Sequence, residues 1–385
     1  MRVMSSHGTE AAACLIVAVT GRALAASAAR GGQPVVVLDY FADRDTRAFA
    51  KECRSVAAAG ALRFDRRAVL SAAQALAPPA LSSGLIYGSG FEGSVGLLTQ
   101  LARGRRLFGN PPATLAALRD PRRFFPLLSR LGIRYPEISF AAPIDLRGWL
   151  VKHPGGAGGT RVRLATRRQA ASGVYFQRFQ SGRTCSVLFL ADGHRAMVIG
   201  YNEQWTYARP GIPYLYGGAV GGVPLPSEVV GALQPRLDAL VAETGLLGLN
   251  GLDFIVDEDR WLALELNPRP TATLDLYDPG YPSGLFAMHL EACEGNLPPA
   301  SAPAIDRSRA HAIVHAPSSW QVPESFAFPS WCRDIPMPGV RFGPGDPVCS
   351  VHADGESPSA ARSAVEARRL DMIRVLEAAP EASLV

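Results

Sequence analysis

Two stretches of the chain carry side chains whose types and spacing can do chemistry. In GLDFIVDEDRWLALELNPRP, residues 251 to 270, strand alternation puts Leu262, Leu264 and Leu266 on one face and Ala263, Glu265 and Asn267 on the other. Asp253 stands on the partner strand of a hairpin that turns at DEDR, so it can share the Glu265 face. Two carboxylates and an amide oxygen form a hard ligand set, the kind Mg²⁺ takes while keeping water and phosphate oxygens in its shell. No His or Cys joins them, which disfavours zinc. Pro268 and Pro270 stop the strand and fix the backbone, so Arg269 should project as a rigid cation beside the metal. On these residues alone, a polar face on an exposed hairpin stays open as the alternative.

The second stretch is LVKHPGGAGGTRV, residues 150 to 162. Lys152 and Lys51 are the only lysines among 39 basic residues; the rest are arginine. A compact ammonium suits one phosphate oxygen in a narrow slot better than a planar guanidinium does. Gly155, Gly156, Gly158, Gly159 and Thr160 follow, and glycines let backbone N–H groups approach an anion. The lysine precedes the glycines, so this is not a P-loop.

Elements that could position these groups can be read along the chain. CLIVAVT, a helix-compatible segment and PVVVLDYF make a βαβ unit with buried parallel strands, and GLIYGS (84 to 89) supplies a third strand. The first turn lacks GxGxxG, which weighs against a nicotinamide site. A new unit begins near Gly109 with helical spacings around Pro breaks. WLVKHP, VYFQRF and a hairpin turning at 191 to 193 read as strands, followed by a helix over 227 to 245 that opens on Ser227 as N-cap. His311 and His315 show an HxxxH spacing, but HAIVHAP reads as a strand, which argues for structural histidines. A last helix is expected over 359 to 379.

Composition bounds the partners. The net charge of +5 is spread without basic runs, which points to small anionic ligands and away from nucleic acid. No apolar run reaches membrane-spanning length. Six scattered cysteines without CxxC fit free thiols in a reducing, cytoplasmic compartment. The apolar start has the look of a signal h-region, but Glu10, Arg22 and Arg30 punctuate it, which argues against a signal peptide.

Strand lysine, glycine loop, Asp253 and LELNPRP, in this order, resemble the ATP-grasp superfamily over roughly residues 14 to 300. The C-terminal segments AHAIVHAP and CRDIPMPGVRFGPGDPVCSVHADG are similar to those of a bacterial subgroup of ATP-dependent carboligases related to biotin carboxylase. Members of that subgroup are similar to the tyramine-glutamate ligases of methanofuran-type one-carbon cofactor synthesis. The resemblance implies a mixed α/β and α+β architecture: a tail over 1–13, a Rossmann-like substrate domain over 14–108, an ATP-grasp domain over 109–300 with subdomains 109–175 and 176–300, and a small β-rich C-terminal domain over 301–385 with a closing helix. It implies ATP and Mg²⁺ as cofactors, with Lys152 and the glycine loop on the phosphates. Backbone groups of Gln177, Arg178 and Phe179 would meet the adenine, and Asp253, Glu265 and Asn267 the metal. Arg122 or Arg123 would stand in for a second phosphate lysine usual in the family.

The implied reaction is carboxylate-amine ligation through an acyl phosphate, with Lys152 and Arg269 catalytic and glutamate and tyramine as candidate substrates. Arg22 and Glu92 are weaker candidates for holding substrate, and Arg209 for the γ-phosphate. The implied partners are small-molecule carboxylate and amine substrates and, at most, a second copy of the chain in a homodimer. A carboxylating enzyme like biotin carboxylase and a silent ATP-binding protein remain as alternatives.

Overall fold

A computed structural model describes residues 11–58, 63–166, 173–298 and 307–378. Residues 1–10 of the expected tail, residues 299–306 around the expected domain boundary, and residue 379 of the last helix lie outside them.

The chain opens with a five-stranded parallel sheet in the order Glu52–Ser55, Val35–Asp39, Cys14–Val17, Gly84–Tyr87, Leu107–Phe108. Its central strands are apolar runs buried at every position, as helices on both faces require. Gly84–Tyr87 is the fourth strand in the chain and not the third. The edge strand Glu52–Ser55 (ECRS) is largely exposed and offers no apolar run to read. Strand order reverses between Cys14–Val17 and Gly84–Tyr87, and the loops at the carboxyl ends of such strands are where open α/β sheets bind ligands.

A four-stranded antiparallel sheet follows, ordered Ile138–Ser139, Tyr175–Arg178, Trp149–Lys152, Val162–Leu164. Tyr175–Arg178 pairs on both sides within this sheet. An eight-stranded sheet then runs Arg260–Asn267, Leu247–Asp257, Arg183–Asp192, Ala196–Thr206, Tyr216–Gly221, Ser308–His315, Pro347–Gly355, Cys332–Arg333. The C-terminal strands therefore extend this sheet, joined by Gly218↔Ala312 and its neighbours.

The helix Ser227–Thr244 packs Val229, Leu233, Leu237, Leu240 and Val241 on that sheet. It is preceded by Pro226, with Ser227 as its first residue and not its cap, and it ends at Gly245 with a left-handed φ of 64°. A second core locks the parallel sheet to the larger one: Ile16, Val37 and Ile86 meet Leu188, Leu190 and Phe286. The closing helix is Pro358–Ala378. All six cysteines are free thiols, and no helix among the described residues is long and apolar enough to cross a membrane.

Candidate active site

The strands Leu247–Asp257 and Arg260–Asn267 place Asp253 directly opposite Glu265, with a register slip between Asp253 and Phe254. The slip leaves Leu264 as the extra residue of a β-bulge, which re-aims the strand locally. Ala263, expected beside Glu265, instead packs in the core with Phe254, Trp261 and Leu266. Glu265 and Asn267 stay on the Asp253 side. Asn267 Nδ2 donates to Asp253 Oδ2 at 3.0 Å, and Gln204 Nε2 donates to Oδ1 at 3.1 Å. Burial, and then the Glu265 charge, push the Asp253 carboxyl up to about 7.

Three cations surround this pair. Lys152 ends the strand Trp149–Lys152. Burial lowers its pKa against the opposing pull of Glu265 and Asp253. Arg119, at the end of the helix Pro112–Arg119, hydrogen-bonds Glu265 and donates from Nη2 to the Gly156 carbonyl at 2.7 Å. Arg119, Lys152, Gly156, Gly159, Tyr175 and Glu265 line one cavity. Arg269 is buried, donating from Nε to Glu92 Oε1 at 2.6 Å, from Nη2 to Asn267 Oδ1 at 3.2 Å and from Nη1 to the Pro270 carbonyl at 3.2 Å.

A family model described as an ATP-grasp domain matches residues 120–273, the span that holds the hairpin, the glycine loop and Lys152. Among solved structures, the biotin carboxylase domain of 2-oxoglutarate carboxylase from Hydrogenobacter thermophilus superposes with a TM-score of 0.73 at 12% identity, over 96% of this chain and 94% of that one. The biotin carboxylase of Campylobacter jejuni gives 0.71 at 13% identity, over 94% and 95%. The fold is ATP-grasp. An L-amino acid ligase from Bacillus licheniformis shares it, with a TM-score of 0.65 at 14% identity over 96% and 98% of the two chains. No curated protein matches the sequence.

The glycine loop is held from both sides. Gly155, Gly158 and Gly159 have left-handed φ of 81°, 61° and 72°. A Cβ on Gly159 would lie 1.7 Å from the Tyr214 carbonyl oxygen, and one on Gly155 3.1 Å from that of Glu92. Tyr216 N donates to the Gly158 carbonyl at 2.9 Å. The Thr160 hydroxyl donates back to the Ala157 carbonyl at 2.9 Å.

Several expected residues lie elsewhere or are differently engaged. Arg122 stacks over the Phe140 ring at 4.2 Å, and Arg122 and Arg123 line a separate groove, whereas Arg119 and Arg161 line the Lys152 cavity. At the hinge, the N–H groups of Arg178 and Phe179 already donate to the carbonyls of Glu137 and Gly148. Those two residues therefore have no backbone donor left for a base. Gln177 is buried, and its Nε2 has no hydrogen-bond partner among the described residues.

Glu92 holds Arg269 and accepts from Gly90 N at 2.7 Å, so it is not free to take an ammonium. Arg22 is buried against Asp275, in a two-bond pairing, and Asp334, with Asp45 beside it at 3.9 Å; it is not free for a substrate carboxylate. Arg209 hydrogen-bonds the Gly345 carbonyl in the C-terminal segment, away from Lys152.

Sequence reasoning missed Arg119, Gln204 and Asn110. Asn110 is fully buried: its Nδ2 donates to the Pro268 carbonyl at 3.0 Å and its Oδ1 accepts from Leu247 N at 2.9 Å, fixing the NPRP turn that carries Arg269. Its only sequence signal was the GNPP punctuation, which reads equally as a loop.

The residues fit a divalent cation. Asp253 faces Glu265 with only amide donors on its oxygens, and Asn267 completes an all-oxygen set. No group of three or more His, Cys, Asp or Glu that could hold a metal occurs among the described residues.

Proposed function

We propose that the chain is an ATP-dependent ligase that activates a carboxylate as an acyl phosphate and transfers the acyl group to an amine. The observation that carries this reading is the meeting of Lys152, Arg119 and Glu265 at one cavity lined by Gly156 and Gly159, with Asp253 facing Glu265 across the hairpin and within electrostatic reach of Arg269. Phosphoryl transfer asks for positioning and charge stabilisation rather than covalent help from protein.

In this reading a substrate carboxylate oxygen attacks the γ-phosphorus and ADP leaves. The amine nitrogen then attacks the acyl carbon, and inorganic phosphate leaves as a proton is lost from nitrogen. Lys152 and Arg119 hold phosphate oxygens under the glycine loop. Arg269, fixed by Glu92 and by Pro270, stands where the acyl phosphate forms. Mg²⁺ held by Asp253, Glu265 and Asn267 would neutralise phosphate charge. The unpartnered Gln177 amide suits an acceptor on the nucleotide base.

The finer reading, glutamate as the acid and tyramine as the amine in methanofuran-type cofactor synthesis, rests on the resemblance of the C-terminal segments. A carboxylating reaction is the second reading, favoured by the superposition on two biotin carboxylases.

The test is incubation with Mg·ATP and a panel of amino acids and amines, scored for phosphate release and for the mass of an amide. Phosphate release that needs both an acid and an amine supports ligation. Release that needs bicarbonate instead supports carboxylation.

A further inference from the structure

The glycine loop rests on the start of a strand that the backbone alone holds weakly. Tyr216 opens the strand Tyr216–Gly221, and its N–H donates to the Gly158 carbonyl at 2.9 Å. The Tyr214 carbonyl abuts Gly159, so residues 214 to 216 form a seat for one side of the loop. Toward Ser308–His315 the ladder runs through Gly218, Ala219 and Val220 and stops two residues short of Tyr216. Toward Ala196–Thr206, Tyr216 pairs with Thr206 just beyond a register slip at Trp205.

A side chain completes the support. The Tyr216 hydroxyl and His311 Nε2 share a hydrogen bond of 2.7 Å, which spans 95 residues of sequence and ties the seat to the C-terminal strands. His311 is 4% exposed and stands in register between Ala219 and His352. Its ring lies 5.7 Å from that of His352, whose Nε2 is 4.0 Å from Asp275 Oδ2, at the edge of an acidic basin where Arg22 pairs with Asp275 and Asp334. Burial holds His311 below the usual histidine range, so it meets the hydroxyl as a neutral imidazole. A ring wedged in this way cannot turn aside without moving its neighbours, and the hydroxyl it holds is fixed with it.

We infer that His311 is a positioning residue for nucleotide binding: through the Tyr216 hydroxyl it fixes the seat on which the glycine loop rests. A loop that is in place only part of the time lowers the apparent affinity for phosphates by that fraction. The role in nucleotide binding rests on the ligase reading, but the hold on the loop does not.

Hydrogen exchange of the ligand-free full chain and calorimetry with Mg·ADP test this in His311→Phe, Tyr216→Phe and the double variant. One hydrogen bond shifts an equilibrium by about threefold to tenfold. Each single variant should speed exchange at the amide of residue 216, whose hydrogen the Gly158 carbonyl takes, and weaken Mg·ADP by a factor of that size. The double variant should be no worse than either single one, because both remove the same bond. Losses that multiply in the double variant overturn the proposal, since each side chain would then act separately. So does a folded Tyr216→Phe with wild-type exchange at residue 216, a result that decides the matter even where His311→Phe does not fold. Faster exchange with unchanged Mg·ADP affinity in both single variants overturns the role in nucleotide binding. A wild-type chain that binds no Mg·ADP sinks the ligase reading instead, and the exchange rates still decide whether His311 holds the loop.

Discussion

The two polar clusters of this molecule differ in how their charges balance. In the cleft, Lys152, Arg119 and Arg269 stand against Asp253, Glu265 and Glu92, one cation for each carboxylate. In the basin, Arg22 pairs with Asp275 and Asp334 beside Asp45, and Asp39 and Asp43 add two further carboxylates. On the proposed reading, the cleft is near balance before a phosphate chain and its Mg²⁺ arrive. The basin is tied down by backbone donors and by Arg22, and the Asp43 side chain in it has no hydrogen-bond partner among the described residues. The two clusters can therefore be told apart by which groups are satisfied before anything binds.

The largest expected effects lie in the cleft. Glu265→Gln and Asn267→Leu should each lower Mg·ATP turnover by about 10³, the scale seen when one preorganised electrostatic partner is removed. Lys152→Arg keeps the charge but not the point contact, and kcat/KM for ATP should fall by roughly 10². Thermal midpoints should move little in Glu265→Gln and Lys152→Arg, whose side chains line the cavity, and should fall in Asn267→Leu, which leaves the buried Asp253 and Arg269 each short of a hydrogen bond. Phosphate-release kinetics beside melting curves checks both halves; near-normal rates in any of the three would remove that residue from the site.

The basin should respond in the opposite sense. Arg22→Leu leaves Asp275 and Asp334 buried without their cation, and breaking such a pair costs about 3 to 5 kcal/mol. Arg119→Leu, whose partner Glu265 is 39% exposed at the side chain, should cost little stability and much activity. Denaturant titration of the two variants sharpens the contrast, and equal stability losses would erase it.

Legibility in the sequence follows the same division. The buried parallel strands announce themselves as apolar runs, and the hairpin ligands as a period-2 pattern. Lys152 stands out because lysine is rare in this chain. Arg119 does not, being one arginine among many at the end of a helix with nothing local to mark it. The bulge at Leu264, which sends Ala263 into the core, leaves no compositional trace because it arises from pairing with the opposite strand. The pairing of the C-terminal strands with the large sheet leaves no trace for the same reason: the Tyr216–Gly221 strand that they join lies some ninety residues earlier in the chain. The basin was invisible because its carboxylates come from residues 39 to 45, 275 and 334, brought together only by the fold.

The smallest effect isolates Asp43. Burial first, then Asp334, Asp39 and Asp45, push its carboxyl up to about 9 from 3.8, so the folded chain holds a proton there that the unfolded chain has released. A folded-state pKa raised in this way gives stability that is fully present below about 4 and is lost as pH rises through about 9. The groups facing it are those carboxylates, Arg22, and the thiols of Cys53 and Cys349, both pushed upward and neutral across the range. Asp39, raised to about 6, has finished titrating by pH 7. Between pH 7 and 9 the wild-type chain should therefore lose about 1 kcal/mol per pH unit relative to Asp43→Asn, which has no proton to release. Unfolding free energies of the two proteins at pH 7, 8 and 9 should diverge, the variant becoming relatively more stable as pH rises. Parallel curves would mean that Asp43 is ionised in the folded chain, already paired with a cation.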